Sequence, residues 1–406
     1  MQLSRRHLLG SASLTALPIA RARAQARPLV KIGVLTDLSG TYRDNTGPSS
    51  VACARQAVEE FNPASRGFDV ALISADHQNK PNVAVSIARQ WFDQGVDAIA
   101  DVPTSSVALA VAEVARSKDK VMINASATVA ALTDEQCSPN TVVWSFDTYS
   151  NAQSTGGALM AAGHKTWFFL TADYAFGHSL EELTAAVVAQ RGGRVLGAVR
   201  YPFPDTTDFS SYLAQASASG AEVLAFANAG LDTQNCIKQA HEFGLNAKMH
   251  IAPLLMFMTD VHALGPEVTK DLTTTESFYW DLNDRTRAFT RRVLPKTGGK
   301  YPNQAHASAY AITLHYLKTV AAMGGAEAKQ SGRATLARMK AIPTDDDAFG
   351  PGRVRADGRG EFPAYLFRVK APAVSGGWDL YELLHTTPPA EALHPLRAKC
   401  QFPVAT

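Results

Sequence analysis

The stretch Val96–Ile123, VDAIADVPTSSVALAVAEVARSKDKVMI, decides the fold. Val96–Val102 is a short apolar run stopped by Pro103, which reads as a buried strand. Ser105–Ser117 carries apolar residues at helical spacing behind serines able to cap it, and Val121–Ile123 is a second apolar run. A strand, a helix and a strand with so little polar alternation imply parallel strands covered on both faces. The same unit recurs on either side. Upstream, Val30–Leu35 reads as a strand ending in the turn Asp37-Leu38-Ser39-Gly40. It is followed by a helix over Ser49–Phe61, a strand at Phe68–Ser74 and a helix over Asn82–Asp93 behind Pro81. Downstream, strands are expected at Trp167–Leu170, Val195–Val199, Val223–Ala227 and Met249–Ile251, with helices at Ser179–Gln190, Phe209–Ser217 and Thr233–Phe243. These are too many units for one comfortable sheet. The expected fold class is therefore α/β, with two doubly wound lobes, the second starting after about Ser150.

The last third departs from this rhythm. Helices are expected at Asp284–Leu294, Ala305–Met323 and Thr335–Ile342, then short strands at Arg353–Ala356, Tyr365–Val369 and Trp378–Leu383. Helices that complete the first lobe, followed by strands that extend the second, make the chain cross between lobes more than once. Repeated crossings form a hinge, and a cleft between hinged lobes is a site that can close on a ligand.

Composition narrows the function classes. The chain has 406 residues, 46% hydrophobic and 19% charged, and 39 Lys+Arg against 37 Asp+Glu leave a net charge of +2. Such a balance fits large cores and gives no footprint for nucleic acid, which is not an expected partner. At the start, Ser4-Arg5-Arg6-His7-Leu8-Leu9 opens a basic region, and an apolar stretch follows from Leu8 to about Ala20. That stretch is too short for a membrane span and reads as a signal peptide over residues 1–26, with Ala24-Gln25-Ala26 as the cleavage site. The paired arginines resemble a twin-arginine signal, from which His7 and Gly10 depart; an ordinary secretory signal is the alternative. The expected location is periplasmic. Of the four cysteines, Cys53 and Cys236 lie in helical patterns, while Cys137 and Cys400 sit in polar loops flanked by proline. Cys137 and Cys400 are expected to pair in an oxidising compartment, with four free thiols as the alternative. No zinc spacing occurs and no cofactor is expected.

Against this background Lys31-Ile32-Gly33-Val34-Leu35-Thr36-Asp37-Leu38-Ser39-Gly40 resembles the mature N-terminus of type I periplasmic solute-binding proteins of ABC importers, in the branched-chain amino acid receptor family. Asn124-Ala125-Ser126-Ala127-Thr128 with Leu132-Thr133, Asp173-Tyr174-Ala175-Phe176-Gly177, and Lys238-Gln239-Ala240 carry the same resemblance. It implies two Rossmann-like lobes joined by three crossovers, expected near Phe146–Asn151, Ser277–Asp281 and Ile342–Asp347. The lobes would then be 27–146 plus 281–342 and 147–280 plus 343–385, with a C-terminal tail over 386–406. It also implies capture of a small solute without chemistry, delivery to the membrane permease subunits, and a monomer.

The resemblance carries over a ligand site: Tyr42 and Arg43 after the first strand, Ser105 with Ser106 at a helix start, and Ser126 and Thr128 in the loop after the fourth strand. From the second lobe come Phe176 and, after Ala227, Asn228, Ala229 and Gly230. Uncapped N–H groups at a helix start suit a carboxylate. Where amino-acid receptors of the family place an acid against the ligand's ammonium, this chain has Leu255 within Pro253-Leu254-Leu255-Met256-Phe257-Met258. A buried ammonium without a counter-charge is costly. An apolar or aromatic monocarboxylate is therefore expected, and Phe278-Tyr279-Trp280-Asp281 resembles members that bind hydroxybenzoates and hydroxycinnamates, making Tyr279 and Trp280 candidate contacts. Each residue also has a plainer role: caps for the serines, core for Phe176, hinge packing for Tyr279 and Trp280, a solvated surface for Arg43. An amino acid or amide receptor of the same family is the alternative, and a ligand-sensing module is another. Ser117-x-x-Lys120, Ser138-x-Asn140 and Lys296-Thr297-Gly298 follow the order of penicillin-recognising acyl transferases. That chemistry needs its Ser at a helix start, and Ser117 is expected to end one. No enzyme is expected.

Overall fold

The computed structural model describes residues 27–402, so the expected signal peptide lies outside the described residues. Strands β1 (Leu29–Thr36), β2 (Asp69–Asp76), β3 (Ala98–Asp101), β4 (Val121–Asn124) and β5 (Thr141–Val143) form one all-parallel sheet in the order β2-β1-β3-β4-β5. Strands β6 (Thr166–Ala172), β7 (Arg194–Tyr201), β8 (Val223–Ala227) and β9 (His250–Pro253) form a second parallel sheet in the order β7-β6-β8-β9. Strand alternation divides the first-lobe core in two. Ile32 and Val34 face the helices Gly47–Phe61 and Gln304–Met323, while Leu35 and Ile99 face Pro81–Asp93 and Ser105–Ser117. Gly33 sits on the latter face because the Trp91 ring lies 2.3 Å from where a Cβ would stand. In the second lobe Leu170 and Phe226 pack on one side and Trp167 and Phe169 on the other.

The remaining strands surround the hinge. β10 (Thr273–Glu276), β13 (Ala364–Val369) and β14 (Tyr381–Thr387) form an antiparallel sheet beside the second lobe, and β11 (Arg353–Val354) pairs with β12 (Gly360–Glu361) in a short hairpin. The first crossover follows Trp144, which is buried in the first lobe, and the second passes Phe278 and Tyr279, buried in the first and second lobes respectively. The third differs from expectation. Residues 343–362 stay with the first lobe, not the second: Arg359 bridges Val143 to prolong the first sheet, Phe362 packs 5.1 Å from Trp144, and Val354 joins the same core. The crossing therefore comes at Pro363, before β13. What holds this segment is the fully buried Arg359. Its Nε donates to Asp147 Oδ2 at 2.8 Å, and its Nη1 donates to the carbonyls of Trp144 and Gly360 at 2.7 and 2.8 Å. Burial works to raise the Asp147 carboxyl, but the facing guanidinium and hydrogen bonds outweigh it and the net shift is downward.

Beyond β14 the tail returns to the first lobe. His394 Nε2 lies 3.0 Å from Thr133 Oγ1, and Arg355 donates to the His394 carbonyl at 2.9 Å. Cys137 and Cys400 are joined by a disulfide, while Cys53 and Cys236 are free and buried.

Candidate functional site

In an open parallel sheet, adjacent strands whose connections leave in opposite directions open a crevice at their carboxyl ends. Here those points lie between β1 and β3 in one lobe and between β6 and β8 in the other. The loops that leave these four strands carry Tyr42, Pro103, Tyr174 and Ala229, and they converge with the loops after β4 and β9 on one cleft. The small cavity there is lined by Tyr42, Asn45, Thr46, Pro103, Ser126, Thr128, Tyr174, Phe176, Ala229, Leu255 and Phe257. None of these side chains is charged, and four are aromatic.

The first-lobe wall is rigidly built. Asp37, fully buried, accepts from the N–H groups of Gly40 at 2.6 Å and Tyr42 at 2.8 Å and from Asn79 Nδ2 at 2.7 Å, which fixes the loop presenting Tyr42. Asn79 in turn accepts from the Thr104 hydroxyl, tying that loop to the start of the helix Ser105–Ser117. Thr104 gives this helix no side-chain cap, and the first N–H to close on a backbone carbonyl is that of Ala108, onto Thr104 at 2.8 Å. The opening turn therefore keeps donors for a guest. Ser105 is buried there, its hydroxyl accepting from Val129 N–H at 3.3 Å. The Ser126 hydroxyl bonds Asp101, a buried carboxyl that desolvation pushes up to about 6, so it is engaged behind the wall. The Thr128 hydroxyl makes no hydrogen bond among the described residues, while its carbonyl accepts from Thr148 N–H at 2.8 Å.

From the second lobe, Phe203 stacks on Tyr174 at 4.3 Å and on Tyr42 at 5.6 Å, and the hydroxyls of Tyr42 and Tyr174 bond across the cleft. Burial holds both phenols well above their usual range, so they act as neutral donors and acceptors. Behind them Asp232, which desolvation raises to about 7, accepts from the Tyr201 hydroxyl at 2.7 Å.

The expected site residues separate into two groups. Tyr42, Ser126, Thr128, Phe176, Ala229 and Leu255 line the cavity, with Ser105 directly behind. The others lie apart from it. Arg43 is exposed and pairs with Asp44 at 3.5 Å; Ser106 is half-buried on the outer side of the helix start. Asn228 turns inward, its Nδ2 donating to Cys236 Sγ at 3.3 Å and its Oδ1 accepting from Thr233 at 2.7 Å. Tyr279 and Trp280 pack the hinge instead of the cleft, both donating to the Trp378 carbonyl, at 3.2 and 2.8 Å. Asn45, Thr46, Pro103, Phe203 and Asp232 were not foreseen. Asn45 and Pro103 adjoin expected residues in the same loops, but Phe203 carries no local signal.

Ser117 is the last residue of its helix, its hydroxyl donating to the Val114 carbonyl at 2.9 Å, and Lys120 faces Asp97 at 3.7 Å; the helix-start geometry required of a nucleophilic serine is not met. Among the described residues no cluster of metal-binding side chains occurs, and no helix is long and apolar enough to cross a membrane.

A family model described as a periplasmic binding protein matches residues 29–377. The crystal structure of a periplasmic binding protein from Burkholderia mallei is 42% identical, covers 93% of this chain and 99% of its own, and has a TM-score of 0.87. A branched chain amino acid ABC transporter periplasmic ligand-binding protein from Burkholderia xenovorans is 37% identical, over 90% of this chain and 97% of its own, with a TM-score of 0.78. An R. palustris solute binding protein of an ABC transporter, solved in complex with benzoate, is 21% identical over 89% of this chain and 97% of its own; with a TM-score of 0.78 it shares the fold. With two parallel-sheet lobes meeting at their switch points over a small cleft, the chain belongs to the periplasmic binding protein family, the type I substrate-binding proteins of ABC transporters.

Proposed function

We propose that this protein captures a small monocarboxylate with an aromatic or otherwise apolar body, such as a hydroxybenzoate, and presents it to an ABC permease in the closed form. One observation carries the reading: an uncharged, aromatic-lined cavity abuts the uncapped start of the helix Ser105–Ser117. The helix start supplies N–H donors and a positive dipole end for the carboxylate, and Thr128 offers a hydroxyl. Tyr174, Phe176 and Phe257 offer flat surfaces to a ring. A solute that bridges both walls favours the closed arrangement by the difference in its affinity for the two. Nothing in this mechanism breaks a bond.

Amino acid capture is the second reading, favoured by the function named for the Burkholderia xenovorans relative. The ammonium would then need Asp232, which does not line the cavity and is already bonded to Tyr201. Titration calorimetry of the mature chain with benzoate, 4-hydroxybenzoate and leucine decides between the two. Heat of binding with the aromatic acids and none with leucine is expected; the reverse would replace the first reading with the second.

A further inference from the structure

The cleft's two lobes also meet along a seam that is distinct from the ligand walls. The first-lobe loop 41–46 is held at two places by second-lobe backbone and side chains. At the first, Leu231 N–H donates to the Thr41 carbonyl at 3.1 Å. At the second, Asn45 Nδ2 donates to Asp260 Oδ1 at 3.0 Å and to Thr259 Oγ1 at 3.3 Å, and Asn303, at the start of the first-lobe helix Gln304–Met323, donates from Nδ2 to the Asn45 carbonyl at 3.0 Å and across the seam to Thr259 Oγ1 at 3.1 Å. Asp260 is fully buried there and also accepts from Gln234 Nε2 at 2.7 Å and Phe257 N–H at 2.9 Å. Between the two places sits Gly230. A Cβ on it would stand 2.5 Å from the Thr41 carbonyl oxygen, 2.8 Å from Asn45 Oδ1 and 2.9 Å from Tyr42 Cδ1, all in the opposite lobe. The nearest of these is backbone, already engaged by Leu231, and cannot retreat without breaking that bond.

From this we infer that Gly230 and Asn45 are positioning residues for lobe closure. The absence of a side chain at Gly230 lets the two backbones reach hydrogen-bonding distance. Asn45, whose side chain also lines the cavity, transmits the presence of a guest to Asp260 and Thr259. The inference rests on the reading of the protein as a solute receptor that closes on its guest, but not on which solute it takes.

The test uses the mature chain with benzoate and leucine as probes, small-angle scattering to follow compaction and calorimetry to follow affinity. Gly230→Ala is compared with Gly265→Ala. Gly230 (φ +64°, ψ −138°) and Gly265 (φ +82°, ψ +153°) both hold extended backbone at positive φ that is essentially reserved for glycine, but an added Cβ at Gly265 meets nothing within 4 Å, so that variant carries the backbone strain without the seam. Gly265→Ala is expected to compact and bind as the wild type does. Gly230→Ala is expected to lose compaction and to bind the same probe at least about tenfold more weakly, and Asn45→Ala about tenfold more weakly through its lost bonds to a buried carboxylate. Compaction and affinity of Gly230→Ala equal to wild type would overturn the inference. Should Gly230→Ala fail to fold, Asn45→Ala decides by the same criterion. If leucine and not benzoate compacts the wild type, the monocarboxylate reading falls while the seam is judged with leucine. If neither probe compacts it, the seam is not a capture contact and the inference fails.

Discussion

Replacing Leu255 by Glu puts a carboxylate where amino-acid receptors of this family are expected to carry one. Leu255 lines the cavity from the loop after β9 and is 3% exposed. With the carboxylate of a bound benzoate in the same cavity, about 5–6 Å from the introduced one, the repulsion at an effective dielectric of about 20 is about 3 kcal/mol, or about a hundredfold in affinity. Burial raises the new carboxyl, so the penalty is full above its raised pKa and disappears below it as the group becomes neutral. The Leu255→Glu protein should therefore bind benzoate about a hundredfold more weakly than wild type at pH 8.5, by calorimetry, and recover much of the affinity at pH 5. Leucine should gain at pH 8.5, because its ammonium acquires a partner. Benzoate affinity unchanged or increased at pH 8.5 would refute both the location of the site and its charge logic.

Ser105→Ala combined with Thr128→Ala removes one hydroxyl behind the helix start and one that faces the cavity. A hydrogen bond to a charged group is worth about 1.5–3 kcal/mol, so loss of the Thr128 hydroxyl should lower affinity for an aromatic carboxylate about tenfold or more, while the Val129 N–H left unpaired by Ser105→Ala should cost about 1–3 kcal/mol of stability without unfolding the protein; calorimetry and thermal melts check the two halves. Asp147→Asn keeps an oxygen for the Ser150 N–H, now 2.8 Å away, but leaves Arg359 buried without its counter-charge. Urea unfolding should show a loss of about 3–5 kcal/mol, and a loss under about 1 kcal/mol would show that carbonyls alone satisfy that guanidinium.

The two parallel sheets are legible because their strands are nearly unbroken apolar runs, such as Val30–Leu35 and Val223–Ala227, alternating with periodic helices. Two strands are hidden for the opposite reason: β5 begins with Thr141, and β10 reads Thr-Thr-Thr-Glu, whose polar atoms are buried by neighbouring elements and not by any local pattern. The third crossover falls later than expected because Arg359 looks like a surface residue until Asp147, more than two hundred positions away, is folded against it. In the site, residues that directly follow a strand or open a helix can be found, since such positions are set by local sequence. Tyr279 and Trp280 point to the cleft by their aromatic character, yet the Trp378 carbonyl claims both. Asn45 and Phe203 depend on which loops of the two lobes come to face each other, and short-range patterning is silent about that.

The tail gives the hinge a fourth strand. Thr387 ends a strand of the second-lobe sheet, and Cys400 is bonded to Cys137 in the first lobe, so residues 388–399 run as a strap between the halves with both ends secured. The strap leaves beside the third crossover, where Thr387 pairs with Ala364, and its His394 ring lies 6.1 Å from Tyr149 at the first, so it adds another tether close to the pivot, pressed on the first lobe by the Arg355 and Thr133 contacts with His394.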